Sequence, residues 1–251
     1  MHLQEIFGLD GRTALVTGGS SGIGRAIASA LAAAGAHVLV AARTRATIDA
    51  TVAAIRADGG SADGVVADLA TRSGAHALAD AVGDVDVLVS SAGINLRPLM
   101  AELDDATWDA TMAVNLDAPF VLGQRLAPGM ARRGYGRLIH ISSQQAHRAF
   151  ASSGAYGASK AGLEGLTRSQ AEAWSSRGVT ANVLVPGFVP TPLNERLSSD
   201  PATVEALAAR TLVGRNGRPE DFAGPAVFLA SPASAYVTGQ SIAVDGGFSV
   251  H

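Results

Sequence analysis

Tyr156 and Lys160 stand four residues apart in the helix-forming stretch Tyr156-Gly157-Ala158-Ser159-Lys160, so a phenol and an ammonium share one helix face. A phenol is a poor base near neutrality, because its ordinary pKa is about 10. A fixed cation one turn away favours the phenolate, and the pair can then exchange a proton with an alcohol or carbonyl oxygen. Taken alone, such a pair also reads as a surface contact; its neighbours decide. Ser143 lies thirteen residues earlier in Ile141-Ser142-Ser143, at the end of a strand-like run, where ligands meet open α/β sheets. Near the other end of the chain, Thr17-Gly18-Gly19-Ser20-Ser21-Gly22-Ile23-Gly24 follows an apolar run and precedes a helical one. Glycines at a strand-to-helix turn let the backbone approach a pyrophosphate, whose charge sits on the unpaired N–H groups and positive dipole end of the helix. The context, more than the glycines, separates this turn from an ordinary tight one.

The elements that must position these groups alternate. Residues 13–17, 38–41, 64–67, 85–89, 137–142, 179–185 and 241–244 read as strands, and 23–34, 47–57, 72–81, 105–132, 155–176 and 219–229 as helices. Nearly continuous apolar strands with helices between them predict a parallel sheet covered on both faces, a doubly wound α/β sandwich of Rossmann type. No linker, charge block or repeat divides the chain, so residues 1–251 are expected to form a single dinucleotide-binding and catalytic domain. Residues 186–215, with Pro190, Pro192, Pro201 and a short helical run at 203–211, break the alternation and are a candidate substrate loop or lid.

Composition narrows the function classes. The 251 residues are 47% hydrophobic but 5% aromatic, so Ala, Val, Leu and Ile must fill the interior. With 16% charged residues and a net charge of -3, no basic field exists to hold a nucleic acid or an anionic membrane. The absence of cysteine excludes a disulfide framework, a thiolate nucleophile and Cys-ligated zinc, and fits a reducing compartment such as the cytoplasm. The six histidines show no metal-ligand spacing, and no metal is expected. Residues 1–10 do not read as an export signal, and no apolar run approaches the roughly 18 residues that span a bilayer. A soluble protein is expected.

The spacing Thr-Gly-x-x-x-Gly-x-Gly at residues 17–24 resembles the short-chain dehydrogenase/reductase family, and the resemblance runs from about Leu9 to Phe248. It includes Ser90-Ser91-Ala92-Gly93, where the family usually carries Asn-Asn-Ala-Gly, and Asn115 in Ala113-Val114-Asn115-Leu116. Pro186-Gly187, Tyr236-Val237-Thr238-Gly239-Gln240 and Asp245-Gly246-Gly247 also match. The resemblance implies a nicotinamide dinucleotide held by Gly18, Ser20, Ser21, Gly22, Ile23, Gly24, Arg43, Asp68, Leu69, Ser91, Ala92, Gly93, Tyr156, Lys160, Pro186, Gly187, Val189 and Thr191. Asp68 is either an adenine contact or a helix cap. It further implies Tyr156 as general acid/base and Lys160 lowering its pKa and holding the nicotinamide ribose. Ser143 would polarise the substrate oxygen, and Asn115 would hold a water that links the lysine to solvent. A homotetramer packed through the fourth and fifth helices and the last strand is implied as well.

The sequence after the second strand selects between dinucleotides. An acidic residue there would bind the ribose 2′-OH of NAD, but the chain reads Val40-Ala41-Ala42-Arg43-Thr44-Arg45. Arg43 offers a planar fork of donors to a 2′-phosphate, which prefers NADP over NAD. Many NADP-type relatives place a basic residue inside the glycine turn, where this chain has Ser21; Arg43 otherwise reads as a solvated cation.

Asn95 and Arg97 after the fourth strand, and Gln144, Gln145, His147 and Arg148 after Ser143, should border the cleft. Asn95, Arg97, Gln145 and Arg148 are the substrate candidates, and an arginine there can clamp a carboxylate. Ile6-Phe7-Gly8-Leu9, residues 94–98 and Gly217-Arg218-Pro219-Glu220-Asp221 resemble the branch acting on gluconate-type sugar acids, with much shared by 3-oxoacyl thioester reductases. The expected activity is NADP-dependent hydride transfer to or from a secondary alcohol or ketone, a sugar acid or polyol. The alternatives are 3-oxoacyl thioester reduction and a dinucleotide sensor without turnover; the sensor has no need of Ser143, Tyr156 and Lys160 together.

Overall fold

The computed structural model describes residues 2–250; Met1 and His251, the ends of the span expected as one domain, lie outside them. A short helix α1 (Leu3–Phe7) leads into seven strands: β1 (Thr13–Thr17), β2 (His37–Ala42), β3 (Ser61–Val66), β4 (Val87–Ser90), β5 (Gly136–Ile141), β6 (Val179–Pro186) and β7 (Ser241–Val244). Every pairing is parallel, in the order β3-β2-β1-β4-β5-β6-β7. All seven expected strands are present. β3 starts at Ser61, earlier than its apolar residues suggest, because Ser61, Ala62 and Asp63 pair in register with His37, Val38 and Leu39.

Alternation of side chains divides the sheet's contacts between two cores. Val16, Val38, Val89 and Ile139 face Ile27 and Leu31 of α2 (Gly22–Ala33), Ile48 of α3 (Arg45–Ala57) and Leu229 near the end of the chain. Leu15, Leu88 and Leu138 face Leu78 of α4 (Arg72–Ala81) and Leu122 and Met130 further on. Each fully buried aliphatic side chain contributes about 1.5–3 kcal/mol. Because β1 is flanked by β2 on one side and β4 on the other, the crossover direction reverses there, and a crevice opens at the strands' carboxyl ends.

The helix expected over 105–132 is broken. It resolves into α5 (Asp105–Met112), a π turn (Ala113–Asp117) whose wide ring closes from Ala118 N–H to the Ala113 carbonyl, and α6 (Ala118–Arg133). The physical reason is Asn115: its amide is held by both backbone groups of Ile94, at 2.9 and 3.0 Å, which fixes an expanded turn against the β4 loop. The long helix α7 (Gly154–Trp174) follows. Within 186–215 the structure has a 3-10 turn (Pro192–Asn194), α8 (Glu195–Ser198) and α9 (Pro201–Ala209). The helix expected over 219–229 is a 3-10 turn (Pro219–Phe222) followed by α10 (Ala223–Ala230).

β5 and α7 enclose one titratable group unrelated to chemistry. His140 is fully buried with Nε2 2.8 Å from Gln170 Oε1, and burial lowers its pKa to about 4. The unfolded chain, with the ordinary value of about 6.5, binds the extra proton first, so stability is full above that pH and falls as the pH drops towards 4. The loss amounts to about 3 kcal/mol. Urea unfolding from neutral pH to acid should therefore show a flatter pH dependence for His140→Gln than for the parent; matching slopes would refute the assignment.

Candidate active site

The glycine turn is shaped by contacts that exclude side chains. Thr17 Oγ1 donates to the Val89 carbonyl and accepts from Ala92 N–H, both at 3.3 Å, which draws the β1 and β4 ends together. Gly18 has φ +66°, and a Cβ there would come within 2.8 Å of Ala92 N. At Gly24 a Cβ would lie 2.3 Å from the Gly18 carbonyl oxygen. Ser21, the N-cap of α2, makes no side-chain cap bond, so it leaves the first-turn N–H groups to a ligand.

These residues form one wall of a cavity of about 360 Å³. Ser91, Ala92 and Gly93 continue it, and Pro186, Gly187, Val189 and Thr191 border it from the β6 side. Ser143, Tyr156 and Lys160 line it as well, each less than a tenth exposed. Burial raises the Tyr156 pKa; the nearby Ser143 hydroxyl and the Arg97 guanidinium pull it back. Burial lowers Lys160 to about 8. Its Nζ donates to the Ile141 carbonyl at 2.8 Å and lies 5.6 Å from the centre of the Tyr156 ring. The groups that pull the phenol down are Ser143 and Arg97, which spacing alone does not connect to it, rather than the Lys160 of the sequence expectation.

Asn115 is fully buried beside this wall: a Cβ on Gly93 would sit 3.4 Å from Asn115 Oδ1 and 3.7 Å from Lys160 Nζ. Its Nδ2 donates to the Ile94 carbonyl and to Ser159 Oγ, 3.1 Å away, and its Oδ1 accepts from Ile94 N–H. With both amide ends engaged, the side chain braces the turn.

Several expected residues stand elsewhere. Arg148, offered as a substrate candidate, turns from the cavity to donate to the Phe248 and Ser249 carbonyls, because the C-terminal segment packs over its loop. Asp68 Oδ1 accepts from Ala70 N–H at 3.0 Å, a turn contact, and Leu69 is buried in the core with Leu15 and Leu78. The Ser20 carbonyl accepts from Thr51 Oγ1 at 3.5 Å. Arg43 is exposed just beyond β2 and has no ion-pair partner among the described residues. Ser90 Oγ is buried without a partner, whereas Ser91 lines the cavity.

The substrate side of the cavity holds Asn95, Arg97, Gln144 and Gln145. Asn95 Oδ1, Gln144 Oε1 and Gln145 Oε1 are buried acceptors without partners. Arg97 is half-buried, which lowers its pKa, and the Arg196 cation of α8 adds to that effect. Phe150, Leu193, Leu197 and Leu207 complete the wall; sequence reading identified the segment at 186–215 but no signal for these side chains. Among the described residues there is no group of three or more His, Asp or Glu that could hold a metal, and no helix long and apolar enough to cross a membrane.

A family model described as enoyl-(acyl carrier protein) reductase matches residues 18–249. The chain is 40% identical to galactitol 2-dehydrogenase (L-tagatose-forming) of Cereibacter sphaeroides, with both chains covered completely. It is 37% identical to gluconate 5-dehydrogenase of Gluconobacter oxydans, over 100% of this chain and 99% of the other. Among solved structures, a gluconate 5-dehydrogenase from Burkholderia cenocepacia in complex with NADP and tartrate superposes with a TM-score of 0.94, at 38% identity and full coverage of both chains.

Proposed function

This chain belongs to the short-chain dehydrogenase/reductase family, and from that premise we propose that it is an NADP-dependent oxidoreductase acting on a secondary alcohol or ketone of a sugar acid or polyol. The observation that carries the reading is the meeting of Ser143, Tyr156 and Lys160 on one wall of a cavity whose other wall is the glycine turn. The crowded positions at Gly18 and Gly24 and the uncapped start of α2 suit a pyrophosphate. Bound NADP would supply or accept the hydride. The protein holds the oxygen and the proton: Ser143 donates to the substrate oxygen, and Tyr156 gives up its proton in reduction or takes one in oxidation. Lys160 keeps positive charge beside the phenol as that proton moves.

Arg97 supplies a cation for a carboxylate, and three unpartnered amide oxygens suit the hydroxyl donors of a polyhydroxylated chain. The relatives named for galactitol and gluconate, and the tartrate bound to one neighbour, support the same class. We read residues 1–251 as one domain with 186–215 as its substrate loop, supported by the single seven-stranded sheet. The reading further includes a cytoplasmic location and a homotetramer packed through α6, α7 and β7; β7, an edge strand, supports the latter. Asn115 enters as a brace that ties Ile94 to Ser159 of α7 beside Lys160, and a water between it and the lysine remains part of the reading.

The test is a panel of alditols, aldonic acids, their keto forms and 3-oxoacyl thioesters, followed by nicotinamide absorbance with NADP(H) and NAD(H). Turnover of polyhydroxylated substrates is expected. Turnover confined to the thioesters would replace the substrate class, and cofactor binding without any turnover would favour a sensor. Arg43→Ala should raise the KM for NADPH about tenfold, the loss of a charge-assisted hydrogen bond, and that for NADH less than about twofold. Equal effects on both cofactors would remove Arg43 from the phosphate site.

A further inference from the structure

Glu164 lies one helical turn beyond Lys160 on α7 and is 4% exposed, a buried carboxylate for which the proposed reaction has no use. Burying a carboxylate is unfavourable unless donors fill its lone pairs. Three do so here. Ser142 Oγ donates to Oε1 at 2.8 Å, His147 Nε2 lies 3.0 Å from the same oxygen, and Ser241 Oγ donates to Oε2 at 2.9 Å. Since a carboxylate only accepts, His147 Nε2 carries the proton of that bond.

The donors come from three places that the reaction needs to keep in register. Ser142 immediately precedes Ser143 at the end of β5, and its hydroxyl also reaches the Lys160 carbonyl at 3.3 Å. His147 follows the turn that carries Gln144 and Gln145 into the cavity. Ser241 opens β7. The side-chain hydrogen bonds from residues 142–147 to α7 end on Glu164 and on the Lys160 carbonyl. Ser143 and Tyr156 belong to different elements, and their hydroxyls must meet one substrate oxygen.

We propose that Glu164 is a positioning residue, which clamps the segment from Ser142 to His147 onto α7 and thereby holds the Ser143 hydroxyl at Tyr156. It acts as an acceptor of hydrogen bonds, and its charge is incidental. The glutamine amide tests this: its oxygen can accept from Ser142 and His147, while its nitrogen donates to Ser241 Oγ. The proposal rests on the oxidoreductase reading above.

The experiment compares Glu164→Ala, Glu164→Gln and His147→Ala in the full chain, on whichever panel substrate the parent turns over. Glu164→Ala should lower kcat about 30-fold, the scale of a misplaced reacting group, and leave the dissociation constant for NADPH within about twofold. Its primary isotope effect with deuterated NADPH should rise, because the chemical step slows. Glu164→Gln should recover kcat to within about threefold of the parent, and His147→Ala, altered on the half-exposed side of the cluster, should lose about fivefold. A folded Glu164→Ala with parental kcat would overturn the proposal, as would a glutamine variant as slow as the alanine one. Should Glu164→Ala fail to fold, parental turnover by His147→Ala overturns it. A parent that turns over nothing in the panel defeats the oxidoreductase reading and this inference with it; failure confined to the variants defeats the inference alone.

Discussion

Tyr156→Phe is expected to reduce kcat about a thousandfold, the middle-to-upper range for loss of a general acid, while NADPH binds within about threefold of the parent. The substitution removes one oxygen and keeps the ring. Tyr156 is 6% exposed, so the phenylalanine ring fills the same space, and the packing of α7 against the cavity persists. What disappears is the hydroxyl whose proton Ser143 and Arg97 make easier to lose. Burial raises the phenol's pKa, so near neutrality it stands protonated and ready to give its proton to a carbonyl being reduced. In the opposite direction it must first lose that proton, and alcohol oxidation should speed up with rising pH. The check is single-turnover reduction of a keto substrate by bound NADPH, parent against variant, with cofactor affinity measured separately by fluorescence. A variant that reduces substrate at the parental rate would remove Tyr156 from the chemistry.

The sequence carried the framework of this site further than its walls, for physical reasons. A parallel strand buried on both faces must be apolar throughout, which is why β4, β5 and β6 were legible as short hydrophobic runs. Edge strand β3 has no such need, and its first residues, Ser61 and Asp63, read as a loop. The glycine turn was legible because only glycine fits where the β1 turn crosses Ala92 and where α2 crosses Gly18. The break at Ala113–Asp117 was not, since it depends on a tertiary bond from Asn115 to Ile94, twenty-one residues away, and nothing local marks it. Arg97 and Arg148 looked alike as cations in loops beside the cleft. One is half-buried facing Tyr156 and the other is claimed by the carbonyls of Phe248 and Ser249, a distinction made by the C-terminal segment folding back. Glu164 sat unremarked in a helical pattern, because its three donors come from positions as far apart as Ser142 and Ser241.

Lys160→Met should lower kcat for carbonyl reduction by about 300-fold at neutral pH, and the deficit should shrink as the pH rises. The direction follows from burial, which places Lys160 at about 8: it is an ammonium below that pH and a neutral amine above it. Once the phenol has given its proton away, a phenolate is left on a side chain that is 6% exposed. The ammonium offsets that charge, with Arg97 and the Ser143 hydroxyl supplying the remainder. Above about pH 8 the parent progressively loses the same cation that the variant lacks, so its kcat/KM for reduction should fall about tenfold per pH unit there. Methionine fills the volume of the lysine stem without the charge, and releases the Ile141 carbonyl from its 2.8 Å bond. Unlike the parent, Lys160→Met should then show no falling limb near pH 8, and the two profiles should approach one another in alkali. A ratio of parent to variant that stays constant from about pH 6 to about pH 10 would mean that Lys160 acts through the Ile141 bond alone, and that the charge opposite the phenolate is supplied by Arg97.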